Sequence, residues 1–267
     1  MKAPGRHLKI RDLLDAQEFV DLETLCRELD ASESSVRRDL VQLESEGVLR
    51  RVYGGALATS VRDHAREGNG RDVTREHGLD FDWQSTRYAE EKRLIAAKTA
   101  ELIEDRQTVI LDGGSTVAAV AQALRNRPLR SLHVITNSLP IATALDDARH
   151  IEVTLTGGYL YPRLRVTLGP LCEQMLSGVA ADVLIMGIGG VTADGFSNGN
   201  SLVVGSERKM IEVASKVIIV TDHTKFGRNA MINVAPLDVA DYVVSDAGLA
   251  DEYREMLRGQ GVEVLLA

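Results

Sequence analysis

The chain has 267 residues, of which 44% are hydrophobic and 26% charged, and its formal net charge is −8. Such a length allows one large domain or two ordinary ones, and such a composition can bury a sizeable core, which excludes a disordered chain. The acidic balance excludes indiscriminate binding of a polyanion over the whole surface but leaves room for a local basic patch.

Cys26 and Cys172 lie far apart in sequence, with no CxxC pair and no clustered histidines, so neither a disulfide framework nor a metal site is indicated. The start, MKAPGRHLKI, lacks the apolar run of a signal peptide, and no stretch approaches 18 uninterrupted apolar residues. A soluble cytoplasmic protein without a membrane partner is expected.

Leu8, Leu13 and Leu14, then Leu22, Leu25 and Leu29, then Val36, Leu40 and Leu43 fall at helical spacing in three short segments, with breaks near 17–21 and 30–33. Asp21 and Ser32 suit N-cap positions of the second and third helices, and Gly47 suits the end of the third. After it, VLRRVYGGA alternates and carries β-branched and aromatic residues before a Gly-Gly turn. The pattern predicts a two-stranded wing attached to a helix-turn-helix.

On a helical wheel the third helix has two ordered faces. Val36, Leu40 and Leu43 share one; Ser34, Arg37, Arg38 and Val41 form an i, i+3, i+4, i+7 stripe on the other. Guanidinium forks for guanine or phosphate, small hydroxyls and a valine able to meet a thymine methyl suit a major groove. The same arginines could instead pair with Glu33, Asp39 or Glu44 on a solvated surface. A second pair, Arg50 and Arg51, follows in the wing, where side chains reach flanking phosphates.

The run LCRELDASESSVRRDLVQLESEGVLRRVYGGA (25–56) resembles the winged helix-turn-helix of the DeoR family of bacterial transcriptional regulators. It departs from that family's pattern at Ala31 before Ser32, at Ser35-Val36 in place of Thr-Ile, and at Tyr53 in place of His. The resemblance implies a double-stranded DNA operator as partner. The expected DNA-binding set is Ser32, Ser34, Ser35, Arg37, Arg38, Val41, Arg50, Arg51, Tyr53 and Gly54.

Residues 59–80 are charged, contain glycine and lack apolar periodicity, which reads as a linker between a head at 1–58 and a second domain at 81–267. In that domain EEKRLIAAKTAELIEDR reads as a helix, TVILD as a strand, TVAAVAQALRN as a helix, LHVITN as a strand and LPIATALDD as a helix. IEVTLTGG, ADVLIMGIGG, KVIIVTD, DYVVSD and VEVLL read as further strands, with a helix near 203–215. Continuous apolar strands of this kind indicate a mostly parallel sheet covered on both faces.

Polar and glycine-rich residues punctuate the strand ends, where open α/β sheets bind ligands. LDGGST (111–116) ends one strand and opens a helix, so its N–H groups can cradle an anion. TN (136–137), TGG (156–158), GIGG (187–190) and TDHTKFG (221–227) end four others. Taken singly, DGGST also fits a tight turn, Lys225 a solvated loop, and Asp112, Asp182 and Asp222 helix caps or surface pairs. Together they suggest a site for a small anionic polyol, with Lys225 and the 113–116 backbone for phosphate and Asp112 and Asn137 for hydroxyls.

The resemblance extends here through EEKRLIAAKTAELI, LDGGST, VITNS, VTLTGGYL, TLG, DHTKFG and VVSD, in the order of the DeoR sensor domain. It implies a fold similar to sugar-phosphate isomerases and CoA transferases, and a phosphorylated sugar as effector. Carried over by motif, the ligand-binding set is Asp112, Gly113, Gly114, Ser115, Thr116, Asn137, Gly158, Gly189, Glu207, Asp222 and Lys225; Gln84 stands where the family often has Arg. The expected function is a non-enzymatic, cofactor-free repressor of carbohydrate-metabolism genes, acting as a homo-oligomer (dimer or tetramer) and released from its operator by the effector. The alternative is a sugar-phosphate isomerase or transferase carrying a helical appendage, for which no nucleophile–base pairing is evident.

Overall fold

A computed structural model of the chain describes residues 3–17, 19–45, 48–52, 55–58 and 81–267. Two compact units divide it, residues 1–74 and 75–267. Gly47, Tyr53, Gly54 and the 59–80 segment lie outside the described residues.

The first unit packs α1 (Ala3–Gln17), α2 (Leu22–Leu29) and α3 (Glu33–Ser45) with the antiparallel strands β2 (Leu49–Val52) and β3 (Gly55–Ala58). Leu25, Leu29, Val36, Leu40 and Leu43, the residues set at helical spacing, form its core with Ile10, Leu14 and Leu49. α2 begins directly after Asp21 and α3 directly after Ser32. The helices break near 17–21 as expected, but Phe19–Asp21 forms a short strand there, β1, on the far side of β3, so the expected two-stranded wing is part of a three-stranded sheet in the order β1-β3-β2. A three-residue strand is too short to display alternation, and only its pairing with β3 reveals it.

The second unit is built on a seven-stranded sheet: β4 (Thr108–Leu111), β5 (Leu132–Thr136), β6 (Ile151–Leu155), β9 (Val183–Gly187), β12 (Val217–Val220), β14 (Tyr242–Ser245) and β15 (Glu263–Leu266). Their order is β15-β14-β12-β9-β4-β5-β6 and every pairing is parallel. Successive side chains leave opposite faces. Val109 and Leu111 meet α5 (Ala89–Ala100), α6 (Ser115–Arg125) and α7 (Leu139–Leu145), whereas Ile110, Leu184 and Met186 meet α8 (Pro170–Ser177), α9 (Ser201–Val213) and α10 (Asp251–Gly259). Burial on both faces is why these strands read as unbroken apolar runs.

Smaller elements interrupt this α/β frame: a hairpin of β7 (Tyr159–Tyr161) and β8 (Val166–Leu168), and an antiparallel sheet of β10 (Gly190–Thr192), β11 (Gly195–Asn198) and β13 (Ile232–Ala235). Before α5 comes a short helix, α4 (Phe81–Thr86). The helix expected over 90–106 stops at Ala100, because Arg127 donates to the carbonyls of Ala100 and Ile103 and so satisfies the helix end. The helix expected at 203–215 runs from Ser201, where Asn200 accepts from the N–H groups of Leu202 and Val203. No helix among the described residues is long and apolar enough to cross a membrane.

Candidate functional site

Each unit carries one candidate site. In the first, the two faces of α3 separate as the wheel requires. Val36, Leu40 and Leu43 are buried; Ser32, Ser34, Arg38 and Val41 are exposed, and Ser35 is half-buried. An apolar Val41 left 48% exposed on a face of hydroxyls and guanidinium is a group without a core to join. Arg38 Nε donates to the Ser34 carbonyl at 3.1 Å, and the Ser32 hydroxyl bonds those of Ser34 and Ser35 at 3.2 and 3.0 Å. The backbone puts Arg37 on α3 and Arg50 and Arg51 on β2, opposite Leu57 and Ala56.

Asp39 settles one alternative left by the sequence. It is 5% exposed and accepts from Arg6 Nε and Nη2 at 2.6 and 3.0 Å, with His7 Nε2 at 3.1 Å. Burial alone would raise its carboxyl, but the hydrogen bonds and charges of Arg6 and His7 outweigh it and hold it below the ordinary aspartate value. Asp39 therefore ties α1 to α3 and is engaged on the core side, away from the arginine stripe.

In the second unit the chain runs outward from β4 in both directions, to β5 and β6 on one side and to β9, β12, β14 and β15 on the other. The crevice between the carboxyl ends of β4 and β9 is thus the topological switch point, where such sheets bind ligands. Asp112 to Thr116 leave β4 on one flank, and Gly187 to Gly190 leave β9 on the other.

Asp112 is 3% exposed and accepts from the backbone N–H groups of Gly113 and Gly187. Burial nonetheless pushes its carboxyl up to about 7. Gly114, in extended backbone, precedes α6, so the first N–H groups of this helix open beside Ser115 and Thr116, both under a tenth exposed. Gly113 is required by close approach: a Cβ there would stand 2.1 Å from Val166 Cγ1 of β8. Gly113→Ala should cost about 1–3 kcal/mol through overpacking, read as a thermal midpoint lowered by roughly 2–10 °C.

Asn137, after β5, is 2% exposed, and its Oδ1 has no hydrogen-bond partner among the described residues. Gly158 has φ +128°, and a Cβ on it would meet the Leu168 carbonyl oxygen at 2.5 Å. A Cβ on Gly189 would lie 2.7 Å from Asn198 Oδ1. Glu207 of α9 is 1% exposed; burial first, and then the charge of Asp112, raise its carboxyl well above the glutamate range.

Asp222 caps the turn that follows β12, accepting from the N–H of Thr224 at 3.1 Å, and its charge partly offsets the burial that lowers the half-buried Lys225. The sequence did not single out the other cation of this group. Lys92 of α5 is 6% exposed, and its Nζ donates to the carbonyls of Gln84 and Arg87. Burial lowers it to about 8, with Asp222 opposing and Lys225 and Arg87 assisting. In sequence it is one of several charges in EEKRL, indistinguishable from a solvated helix lysine. His223, the one histidine in the strand-end motifs, has its Nδ1 2.8 Å from Asp246 Oδ2, at the end of β14.

Residues 87–247 match the DeoR C terminal sensor domain and residues 6–62 the DeoR-like helix-turn-helix domain. The chain belongs to the DeoR family of transcriptional regulators. Among DeoR-type relatives it is similar to the glycerol-3-phosphate regulon repressor of Escherichia coli (strain K12), 32% identical over 92% of both chains. It is also similar to the HTH-type transcriptional repressor GlcR of Bacillus subtilis (strain 168), 31% identical over 98% of this chain and 95% of that one. These full-length likenesses make this DeoR-family chain a DNA-binding regulator rather than an enzyme. Among solved structures, ribose 5-phosphate isomerase A of Methanocaldococcus jannaschii covers 52% of this chain at 16% identity and a TM-score of 0.39. The chain spans about half of that enzyme's length.

Proposed function

We propose that this regulator represses carbohydrate-metabolism genes and leaves its operator when a phosphorylated sugar occupies the switch-point crevice. The observation that carries the reading is the division of that crevice. The opening of α6, Lys92 and Lys225 offer N–H donors and positive charge, while Asp112 offers a buried carboxyl and Asn137 Oδ1 and Glu207 Oε2 are buried without a partner among the described residues. A molecule with a phosphate at one end and hydroxyls at the other satisfies both halves. The name of the E. coli relative, a repressor of a glycerol-3-phosphate regulon, supports this ligand class.

Residues 1–58 then act as the DNA head, with Ser32, Ser34, Ser35, Arg37, Arg38, Val41, Arg50, Arg51, Tyr53 and Gly54 facing the operator, and 59–80 as the connection to a sensor at 81–267. In the sensor, Gly113, Gly114, Ser115, Thr116 and Lys225 receive phosphate; Asp112, Asn137 and Glu207 receive hydroxyls; Gly158, Gly189 and Asp222 shape the walls. Two-fold operators require at least a dimer, assembled in the cytoplasm. The effector acts through its different affinity for the operator-competent and released states.

Thermal unfolding against fructose 6-phosphate, glucose 6-phosphate, ribose 5-phosphate and glycerol 3-phosphate tests the reading. At least one should raise the midpoint and release upstream DNA, and Lys225→Ala should weaken that ligand by about 10–100-fold, the worth of a charge-assisted contact. Stabilisation by free sugars alone, or none by any of the four, would sink it.

A further inference from the structure

Two carboxyl groups buried together sit oddly in a site for an anion. Asp112 has two backbone N–H donors, which favour its charged form and offset part of the burial that raises it. Glu207 has less: Asn198 Nδ2 donates to Oε1 at 2.5 Å, and Oε2 is buried without a partner among the described residues. The charged groups around it come from three places. Asp112 follows β4. Glu173 of α8 puts Oε1 2.8 Å from where a Cβ on the neighbouring Gly205 would lie, and Cys172, beside it, is a buried thiol. Arg208, on the same helix, turns its guanidinium to the carbonyls of Asn233 and Val234 of β13. Lys209, also on α9, pairs with Glu212. No cation among the described residues is hydrogen-bonded to Glu207, and the charge of Arg208 offsets burial and Asp112 only in part, so a second negative charge there would stand against Asp112.

We propose that Glu207 meets the effector as a neutral carboxylic acid, donating from Oε2 to a carbonyl or hydroxyl oxygen of the ligand while Asp112 and Asn137 Oδ1 accept from its hydroxyls. This rests on the sugar-phosphate reading and adds a specificity-determining residue of a definite protonation state to it. It accounts for the unpartnered Oε2, since an acid needs an acceptor that the chain does not supply. It also agrees with the direction in which burial and Asp112 move this group. A proton on Glu207 makes ligand binding proton-linked: loss of that proton turns the donor into a charge that repels both Asp112 and ligand oxygens.

Glu207→Gln keeps a donor of the same shape and removes the titration, so two measurements on the full chain decide the matter. Without ligand, the folded state holds a proton that an unfolded glutamate releases near pH 4 to 5. The stability this contributes is complete below about pH 4 and is lost as the pH rises through the raised folded value. The Gln variant should therefore match the wild type at about pH 4 and unfold at a higher temperature than it at about pH 9. A variant less stable than the wild type at about pH 9 would show a carboxylate that is ionised and wanted, and would overturn the proposal.

With fructose 6-phosphate as probe, and the other three phosphates in parallel, wild-type affinity should fall between about pH 7 and pH 9 at least tenfold more than that of Glu207→Gln. Comparing the two proteins separates Glu207 from Lys92, which burial lowers to about 8 and which both proteins retain. Parallel pH profiles, or a Gln variant that loses tenfold at about pH 7, would overturn it. If none of the phosphates binds the wild type at any pH, the effector reading fails and the ligand half of the proposal fails with it, while the unfolding midpoints still decide the state of the acid.

Discussion

Replacing Arg37 and Arg38 together with alanine should abolish the gel shift of the chain's own upstream DNA. Each arginine is worth about 1–3 kcal/mol on a guanine or phosphate, so one head loses on the order of 10²–10⁴ in affinity and a two-headed complex more. The loss is large because the head offers little else. Its acidic and basic residues are nearly balanced and the whole chain is acidic, so the phosphate backbone is repelled outside the reading face. Binding that remains should also depend less steeply on salt, since fewer counterions are released. Far-UV circular dichroism of the variant should match the wild type, because Arg38 is exposed and donates to a carbonyl within its own helix. A shift that persists in the double variant would mean that α3 is not the reading helix.

Asp39→Ala should also end operator binding, by a different route. Removing the carboxylate leaves Arg6, with 15% of its side chain exposed, and His7 facing a partly dry pocket between α1 and α3. A three-helix head has a small core, and the midpoint of its unfolding should drop by roughly 10 °C. The sensor's response to sugar phosphates should survive. Acid should imitate the substitution: the folded value of Asp39 lies below the ordinary 3.8, so its contribution is present above that pH and disappears as the pH falls through the folded value. A variant whose head melts as the wild type does would show that the Arg6–Asp39 pair is dispensable. The two experiments separate reading from folding, since only the second moves the melting curve.

Much of this was written in local pattern. Val36, Leu40 and Leu43 recur at helical spacing because only one face of α3 finds a core, and that same constraint leaves Ser34, Arg38 and Val41 outside. The seven parallel strands were legible as continuous apolar runs because both faces of the sheet are covered. The strand-end motifs were legible because parallel strands end on one edge, which gathers DGGST, TN and GIGG whatever the strand order. β1 and the β7–β8 hairpin were not legible, since three-residue strands carry no period and exist by pairing alone.

The sequence by itself thus determined the two domains' fold classes, the exposed face of α3 and the candidate residues of the sensor, because each follows from periodicity or from chemistry within a few neighbouring positions. Only the tertiary structure decided which of those residues share a crevice and in what state. The order β12-β9-β4-β5 makes β4 and β9 neighbours at a switch point. Folding brings Lys92, from a helix that reads as solvated, near the charges of Asp222 and Lys225, and brings Glu207 near Asp112 from almost a hundred positions away. Burial then alters their protonation. Desolvation and the charge of a distant neighbour are properties of an environment, and no local stretch of sequence contains the environment.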